Sequence, residues 1–311
     1  MKHDPKRIHE LLKKVATIRI RYPLFNAILA DMDRCLTESP DLREPLCMLI
    51  TGDTGVGKST LIDTFHGMHP PHSTEEGTEI PVLVASVPLP ATIGGLFSSM
   101  LYAMGAPFPD RGNIEFKRRR LIELLRRCHT RLVILDEFQH LVERGKRQRI
   151  EAVADAIKSL INQSDIPFLL VGMPAAHSVL EYSPQLAGRF PLRPKLPSFN
   201  WLERPSDFER LLACFEQALP FEKPSGFCDD TLPARFYLAT GGNFRSFTTL
   251  IHDASRTVLM NDGVRIEREQ LIQSYDKLLA ANRRLRANPF KEKNTAIEHW
   301  VDQLREAGRD C

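Results

Sequence analysis

The chain of 311 residues lacks the features that mark several classes of protein. No stretch approaches the roughly 18 uninterrupted apolar residues of a membrane-spanning helix, and the charged N-terminus contains no apolar signal core. The six cysteines are scattered without a CxxC pair, which favours reduced thiols over a disulfide framework or a zinc site. We therefore expect a cytoplasmic protein with no membrane partner.

Net charge is nearly absent as well, since 42 cations stand against 39 acids and leave +3. A balance this close to neutral indicates no particular partner. The cations are nevertheless clustered, at 117–120, 126–127, 144–149 and 283–286. Such runs occur in proteins that bind polyanions and, more commonly, on solvated helix faces, so both explanations stay open.

What the chain does contain is an alternation of short apolar runs with amphipathic segments. The apolar runs, each long enough for one buried strand, lie at 46–51, 80–87, 132–135 and 167–172. Helical periodicity occupies 92–105, 114–128 and 148–163. Strands buried on both faces and separated by helices are typical of a parallel sheet covered on both sides, so the sequence predicts an α/β fold.

The pattern changes after Pro197, where helical segments continue without strands. They lie at 205–220, 229–240, 244–260 and 266–286. We predict four parts: an N-terminal helical segment at 1–40, a nucleotide-binding α/β domain at 41–198, a helical domain at 199–286 and a tail at 287–311. In the tail, Asn288-Pro289-Phe290 is either a docking motif for a partner or a helix stop followed by an anchoring aromatic residue.

A glycine-rich segment follows the first predicted strand and leads into a helix. It satisfies the pattern G-x-x-x-x-G-K-[ST] with Gly52, Asp53, Thr54, Gly55, Val56, Gly57, Lys58, Ser59 and Thr60. The glycines allow a tight turn whose N–H groups point at phosphates, and the helix adds its positive N-terminal end. We predict that this phosphate loop binds ATP, with Lys58 on the β- and γ-phosphates and the Ser59 hydroxyl on Mg²⁺.

Two acids, Asp136 and Glu137, follow the apolar run 132–135. Ligands of parallel sheets bind at the carboxyl ends of the strands, so these acids are expected beside the phosphate loop. Asp136 is the candidate for the magnesium shell, and Glu137 is the candidate catalytic group that orients and activates the attacking water. With catalytic Lys58, the two acids predict an ATPase and not only a nucleotide-binding protein.

Five motifs occur in order along the chain. They are the phosphate loop, Asp136-Glu137 followed by Phe138-Gln139-His140-Leu141, the strand end Leu170-Val171-Gly172-Met173, the element Gln185-Leu186-Ala187-Gly188-Arg189-Phe190, and the element Thr240-Gly241-Gly242-Asn243-Phe244-Arg245. In this order they resemble the TniB/TnsC family of AAA+ ATPases, which regulate DNA transposition. The resemblance covers most of the chain and implies an AAA+ P-loop core, with a parallel sheet sandwiched by helices, followed by a C-terminal helical lid.

The resemblance also implies roles for residues outside the phosphate loop. Arg189 matches the arginine finger that reaches the nucleotide of a neighbouring subunit, with Arg193 as the fallback. Arg245 matches the second sensor, which contacts the nucleotide from the lid, although a surface salt bridge is the simpler explanation of each arginine. Where such ATPases carry a polar first sensor, this chain has Met173, whose thioether cannot position a water, so we expect slow hydrolysis or a substitute group.

Partners follow from the same resemblance. Members of this family assemble with ATP as helical oligomers around duplex DNA and link a TniQ-type target selector to the transposase. The residues expected to contact DNA, without reading its sequence, are Thr92, Arg111, Asn113, Lys117 and Arg118. Two alternatives share the nucleotide site: a helicase loader or initiator-type ATPase, and a signalling NTPase switch that binds no DNA.

Overall fold

The computed structural model describes residues 4–75, 77–142, 147–280 and 287–307, and the chain forms two compact units. One unit is Pro23–Pro197, and the other combines Met1–Tyr22 with Ser198–Cys311. The predicted N-terminal segment 1–40 is thus divided between the units. A helix begins at Pro23 because proline fits the first turn of a helix, where its missing N–H is not needed, but not the interior.

Helices and strands alternate in the first unit, and the described residues of the second unit form helices without strands. In chain order they are α1 (Pro5–Ala16), α2 (Pro23–Glu38), β1 (Met48–Thr51), α3 (Lys58–Met68), β2 (His72–Thr74), β3 (Gly77–Glu79), β4 (Val82–Ser86), α4 (Ile93–Ala103), α5 (Ile114–Arg127), β5 (Leu132–Asp136), α6 (Arg147–Ser164), β6 (Phe168–Gly172), α7 (Ser178–Glu181) and α8 (Pro184–Arg189). After Ser198 follow α9 (Pro205–Ala218), α10 (Leu232–Thr240), α11 (Phe244–Met260), α12 (Arg268–Leu278) and α13 (Asn294–Ala307). The cationic run 283–286 and residues 144–146 lie outside the described residues.

The four longest strands form one parallel sheet in the order β1-β6-β5-β4. Thr51 pairs with Gly172, and Leu135 pairs with Leu170, so the carboxyl ends of β1, β6 and β5 lie side by side. Almost every residue of these strands is buried, as a sheet covered by helices on both faces requires. The predicted parallel sheet is therefore confirmed.

A short antiparallel hairpin, β2 with β3, was not among the predicted elements. Each of its strands has three residues, which is too short for an alternation of apolar and polar positions to be recognised. The hairpin is largely exposed and leaves the parallel sheet unchanged.

The core of the α/β unit lies between the sheet and its helices. Phe97, Phe138, Phe168 and Phe190 are completely or almost completely buried in it. Burying a phenylalanine side chain contributes about 1.5–3 kcal/mol relative to leaving it exposed. Phe138 matters most for the site, because it directly follows the acidic pair and anchors the turn after β5 in the core.

The helical unit has an aromatic core of its own. Phe236 makes edge-to-face contacts with Phe247 and with Phe290, at ring-centroid distances of 5.6 and 5.4 Å. Helix α1 joins this core through Val15 and packs along α11. Such ring pairs stabilise a core by about 0.5–1.5 kcal/mol each beyond their buried area.

The Asn288-Pro289-Phe290 segment is held inside this unit. Phe290 is fully buried, and the Asn288 side chain donates to the Ile272 carbonyl and to Asp276 and accepts from the Phe290 N–H. The buried Arg235 guanidinium donates to the carbonyls of Pro289 and Glu292. Phe290 is therefore an anchoring aromatic residue, and the buried side chains of the segment are not available as a docking motif. The preceding helix, α12, already ends at Leu278.

Candidate functional site

Three strand ends meet at one edge of the α/β sheet. Thr51 ends β1, Gly172 ends β6 and Asp136 ends β5, and these strands are neighbours in the sheet. The Gly52 N–H donates to the Gly172 carbonyl at 3.1 Å, which ties the start of the phosphate loop to β6. The parallel order of the strands therefore brings Asp136 and Gly172, which lie 84 and 120 residues after Gly52 in sequence, to the same edge as the loop.

The backbone of the phosphate loop requires glycine at three positions. Gly55 and Gly57 adopt φ angles of 81° and 107°, which L-residues with a side chain rarely adopt. A Cβ on Gly52 would lie 2.4 Å from the Leu196 carbonyl oxygen. Val56, between the two twisted glycines, is buried and fixes the loop to the unit, so the turn is held ready for a ligand.

Lys58 opens α3 and folds back over the loop. Its ammonium donates to the carbonyls of Gly52 and Asp53 at 2.8 and 2.9 Å, and the residue is 8% exposed. Both acceptors are neutral, so an ionised phosphate is a stronger partner for the same ammonium. Ser59 is exposed in the first turn of the helix and Thr60 is half-buried beside it, which places the N-terminal end of α3 at the loop.

Asp136 and Glu137 lie at the end of β5. Burial raises the pKa of Asp136 above its usual value, although the hydrogen bond from the Glu137 N–H, at 2.8 Å, opposes that shift. A nearby cation would favour the ionised carboxylate of Asp136. Hydroxyl and carboxylate oxygens are ligands that Mg²⁺ accepts, so Ser59 and Asp136 are a suitable donor pair for it.

Glu137 has an unusual backbone, with φ 55° and ψ 33° in the left-handed region. A residue with a side chain costs roughly 1–3 kcal/mol in such a conformation and keeps it only when its surroundings hold it there. Here the buried Phe138 follows directly and begins a 3₁₀ turn at Phe138–Leu141. The turn directs the chain away from the strand immediately after the acidic pair.

Gln139 is a site residue that the sequence analysis did not identify. It is 1% exposed, accepts a hydrogen bond from the Met173 N–H at 3.0 Å and donates one to Glu137 Oε2 at 2.5 Å. The signal available in the sequence was one amide side chain, which stands directly after Phe138 and two positions after the glutamate. Its importance depends on β6, which is distant in sequence.

With this geometry in hand, the chain can be compared with known proteins. The profile of the bacterial TniB protein matches residues 11–200. The chain belongs to the TniB family. No curated sequence matches it.

Solved structures agree on the fold of this TniB family member. It is similar to Cdc6p from Pyrobaculum aerophilum, with a TM-score of 0.63 and 15% identity over 86% of this chain and 71% of that one. For the ORC1 protein of Aeropyrum pernix in complex with DNA, the TM-score is 0.57 and the identity is 15%, over 83% of this chain and 66% of that one. A Walker-type ATPase from Pyrococcus abyssi gives a TM-score of 0.52 and an identity of 14%, over 91% of this chain and 75% of that one. Identities this low show the fold alone, and the predicted AAA+ fold is confirmed.

The two arginine-finger candidates are both engaged within the α/β unit. Arg189 ends α8, and its guanidinium lies 3.5 Å from a Glu44 carboxylate oxygen with 15% of the side chain exposed. Arg193 donates to the carbonyls of Phe190 and Ala187, each at 2.7 Å. Arg189 has the weaker attachment, because Glu44 itself is exposed to water and such ion pairs contribute little. It stays the better candidate for a residue that reaches another subunit.

Arg245 lies in the helical unit, exposed in the first turn of α11. The Asn243 side chain caps this helix by accepting from the Ser246 N–H at 3.2 Å. Gly242 approaches the Phe199 backbone so closely that a Cβ would overlap the Phe199 carbonyl oxygen. Thus the Gly-Gly-Asn sequence shapes the turn that presents Arg245, and the role of Arg245 in nucleotide binding stays a prediction.

The predicted DNA contacts lie around α4 and α5, and most of them have structural partners. Thr92 and Asn113 cap the two helices, each accepting from a backbone N–H at 2.9 Å. Lys117 donates to Ser98 Oγ at 2.9 Å, and Arg118 donates to Ser159 Oγ at 2.9 Å and to both carboxylate oxygens of Glu115. Arg111 is exposed in the loop before α5.

The ion pair of Arg118 with Glu115 is strong enough to affect titration. Hydrogen bonds from Arg118, and then from Arg119, lower the pKa of Glu115 to about 2. A phosphate that contacts Arg118 would therefore compete with an ionised carboxylate already in place. Of the predicted set, Arg111 needs the least rearrangement to contact DNA.

Two kinds of feature, a metal-ion cluster and a membrane-spanning helix, are absent from the described residues. No group of three or more histidine, cysteine or acidic side chains is arranged to hold a metal ion within the ranges that the structure covers. In the same ranges, no helix has both the length and the apolar content needed to cross a membrane.

Proposed function

We propose that this chain is an ATP-dependent regulator of DNA transposition. The observation that carries the proposal is the convergence of the phosphate loop, Lys58, Asp136 and Glu137 at one sheet edge in a member of the TniB family. A chain that only bound nucleotide would not need an acid placed like Glu137. The proposal locates the protein in the cytoplasm, where ATP and DNA are both present.

In this proposal the residues of the edge divide the work of hydrolysis. The N–H groups of the loop and Lys58 bind the phosphates, while Ser59 and Asp136 hold Mg²⁺, which neutralises the charge on the phosphate oxygens. Glu137 orients the attacking water and accepts its proton. The Lys58 ammonium donates to the Gly52 and Asp53 carbonyls of the loop, which supports its proposed role on the phosphates.

Assembly is proposed to complete the site. Arg189 leaves the exposed Glu44 and contacts the γ-phosphate of a neighbouring subunit, which makes hydrolysis dependent on oligomerisation. Arg245 contributes from the helical unit as the second sensor.

The ATP-bound oligomer forms on duplex DNA as a ring or helical filament, in which Arg111 and neighbouring residues contact the DNA backbone. It then recruits a transposase and a TniQ-type selector, and hydrolysis disassembles it.

Negative-stain microscopy of the purified protein tests the assembly directly. Samples contain duplex DNA or none, combined with ATP, a non-hydrolysable analogue, ADP or no nucleotide, and the Lys58→Ala variant serves as the control that lacks the phosphate contact. The proposal expects ring stacks or filaments only where DNA and an ATP-like ligand are both present. Dispersed monomers in every sample would contradict assembly and favour a signalling switch. Closed rings that bind a replicative helicase and no transposase would favour a loader.

A further inference from the structure

The Gln139 side chain connects the ends of two neighbouring strands. Its Oε1 accepts from the Met173 N–H directly after β6, and its Nε2 donates to Glu137 Oε2 directly after β5. The Gln139 side chain itself is 1% exposed, although both hydrogen bonds are only partly buried. A buried amide whose donor and acceptor are both satisfied fixes the positions of the groups that it joins.

The chemistry of the two partners allows one orientation of this amide. A backbone N–H is a donor only, and an ionised carboxylate is an acceptor only. The bridging side chain must therefore present an acceptor toward Met173 and a donor toward Glu137, which a glutamine does and a glutamate, methionine or leucine does not. Gly172 supplies the space, because a Cβ there would lie 2.5 Å from Gln139 Oε1.

Without this bond the Glu137 carboxylate would be poorly fixed. The Glu137 side chain is 45% exposed, and His140 Nε2 lies at the longer distance of 3.7 Å from its Oε2. Gln139 holds the same oxygen at 2.5 Å. The bond leaves Oε1 of Glu137 to face a water, which is the arrangement that a positioned general base requires.

We propose that Gln139 is a positioning residue for Glu137, and that it supplies between β5 and β6 the polar link that the Met173 thioether does not supply. The inference rests on the proposed ATPase function. In the step concerned, a water proton moves to Glu137 Oε1 and the water oxygen bonds to the γ-phosphorus. The bond from that phosphorus to the bridging oxygen breaks, giving ADP and phosphate. Gln139 acts by holding Oε2 throughout and does not itself exchange a proton.

The decisive variant is Gln139→Glu, which keeps the acceptor for the Met173 N–H but replaces the donor with a second carboxylate. Two carboxyl groups at this distance share one proton at low pH, so mutual repulsion raises the pKa of the pair. Steady-state ATPase rates are measured from pH 5.5 to 9 with saturating ATP and DNA. We expect kcat of the variant to stay about tenfold or more below wild type up to pH 9, because two ionised carboxylates repel and neither donates to the other, and wild-type kcat at pH 9 would contradict the positioning role. Binding of a fluorescent ATP analogue stays within about twofold of wild type, because the phosphate contacts are unchanged.

A second measurement does not depend on turnover. Without nucleotide, the melting temperature of Gln139→Glu should approach that of wild type at pH 5 and fall relative to it as the pH rises. The sign follows from linkage: a carboxyl whose pKa is raised in the folded state contributes stability at low pH and loses it as the pH passes through the raised value. Gln163→Glu, the same change at an exposed position on α6, is the matched control and should alter neither profile.

The outcomes separate this inference from the proposed function. Absence of ATP binding and hydrolysis in the wild type, or full activity of Glu137→Gln, would overturn both. If wild type hydrolyses ATP and Glu137→Gln does not, an unshifted pH profile with wild-type kcat in Gln139→Glu overturns the positioning role alone. Should Gln139→Glu not fold, Gln139→Asn replaces it, since a side chain shorter by one methylene cannot span both partners. Its kcat should fall at least about fivefold with unchanged analogue affinity, and wild-type kcat would overturn the inference.

Discussion

The edge of the sheet that carries the phosphate loop and the surface around α4 and α5 have similar polar groups, but these groups have different partners in the two regions. At the edge, the Lys58 ammonium is held by two neutral carbonyls, and burial raises the pKa of Asp136. On the α4–α5 surface, Arg118 is held by an ionised carboxylate, and Asn113 already caps a helix. A charged phosphate or a metal ion improves the electrostatics of the first region. In the second, the same phosphate must displace a partner of its own sign.

This difference shows why the same kind of sequence signal deserves unequal weight in the two regions. Lysine and arginine runs are solvent-exposed or internally paired in most proteins, and Arg118 is an example of internal pairing. Lys58 is distinguished by its position after a loop that only glycine can form. Substitutions at four residues would break or sharpen the comparison, beginning with the largest expected effect.

The largest effect is expected from Lys58→Ala. Removing the ammonium leaves the γ-phosphate without its nearest cation, and truncating one partner of a buried charge pair costs about 2–5 kcal/mol, or roughly 30- to 4,000-fold in affinity. We expect no detectable hydrolysis and no ATP-dependent assembly, measured by phosphate release and by sedimentation. Lys117→Ala is the matched lysine on the other surface and should keep nucleotide affinity within about twofold. Equal loss in both variants would erase the distinction between the two regions.

Arg189→Ala is next in size, because an arginine supplied by a neighbouring subunit contributes on the order of 10³-fold or more to kcat. The test mixes Arg189→Ala with Glu137→Gln, each of which is expected to hydrolyse ATP far more slowly than wild type when alone. Interfaces in which a Glu137→Gln subunit presents its arginine to an Arg189→Ala site are complete, so mixing should restore part of the wild-type rate.

The control for Arg189 is its partner. If the arginine serves only as a surface ion pair, Glu44→Ala breaks the same pair and should reproduce the Arg189→Ala defect. We expect Glu44→Ala to retain wild-type kcat, since solvent-exposed pairs contribute about 0–1 kcal/mol. A mixture without any recovered activity would count against a residue supplied between subunits.

Glu137→Gln should lower kcat by about 10²-fold while leaving ATP bound, because an amide orients water but cannot accept its proton. The assembled state should therefore persist, and sedimentation with ATP and DNA should show oligomers that outlast those of wild type. The neighbouring variant His140→Gln is the matched control, since its ring lies 3.7 Å from the same carboxylate but has no proposed proton transfer. Glu137→Gln found monomeric with ATP and DNA would contradict the proposed switch.

These variants also separate what the sequence could predict from what it could not. The phosphate loop was predictable because its ligands and its turn lie within nine contiguous residues, and the glycine φ angles are a local requirement. The strands were predictable because a parallel sheet buries both faces of each strand, leaving continuous apolar runs such as 132–135. Both signals are local in sequence, and tertiary packing confirms them.

The remaining features depend on contacts between distant residues. Gln139 became part of the site because the register of β5 on β6 places the Met173 N–H beside it. Phe290 became an anchor because three aromatic side chains from α10, α11 and α12 form a core around it. The caps at Thr92 and Asn113 are the exception, since threonine or asparagine directly before a helical run is a local signal of a cap, although the sequence analysis assigned both residues to DNA contacts.

The smallest effects, and the sharpest test of the α4–α5 surface, come from two substitutions of Asn113. Asn113→Ala removes the cap and should lower the free energy of unfolding by about 1 kcal/mol, whereas Asn113→Asp keeps a capping oxygen and should leave it nearly unchanged. Denaturant titration of the two variants measures this free energy and isolates the structural role of Asn113.

DNA binding by the same two variants tests the second role of Asn113, its predicted contact with DNA, because aspartate adds a negative charge where a phosphate is predicted. If Asn113 faces DNA, Asn113→Asp should weaken duplex affinity by several-fold at low salt and less at high salt, since screening weakens charge repulsion. Gln303→Glu adds the same charge on α13 and controls for net charge. Unchanged affinity in Asn113→Asp over a salt series would leave Asn113 as a cap alone, and DNA contacts would then have to come from residues such as the exposed Arg111.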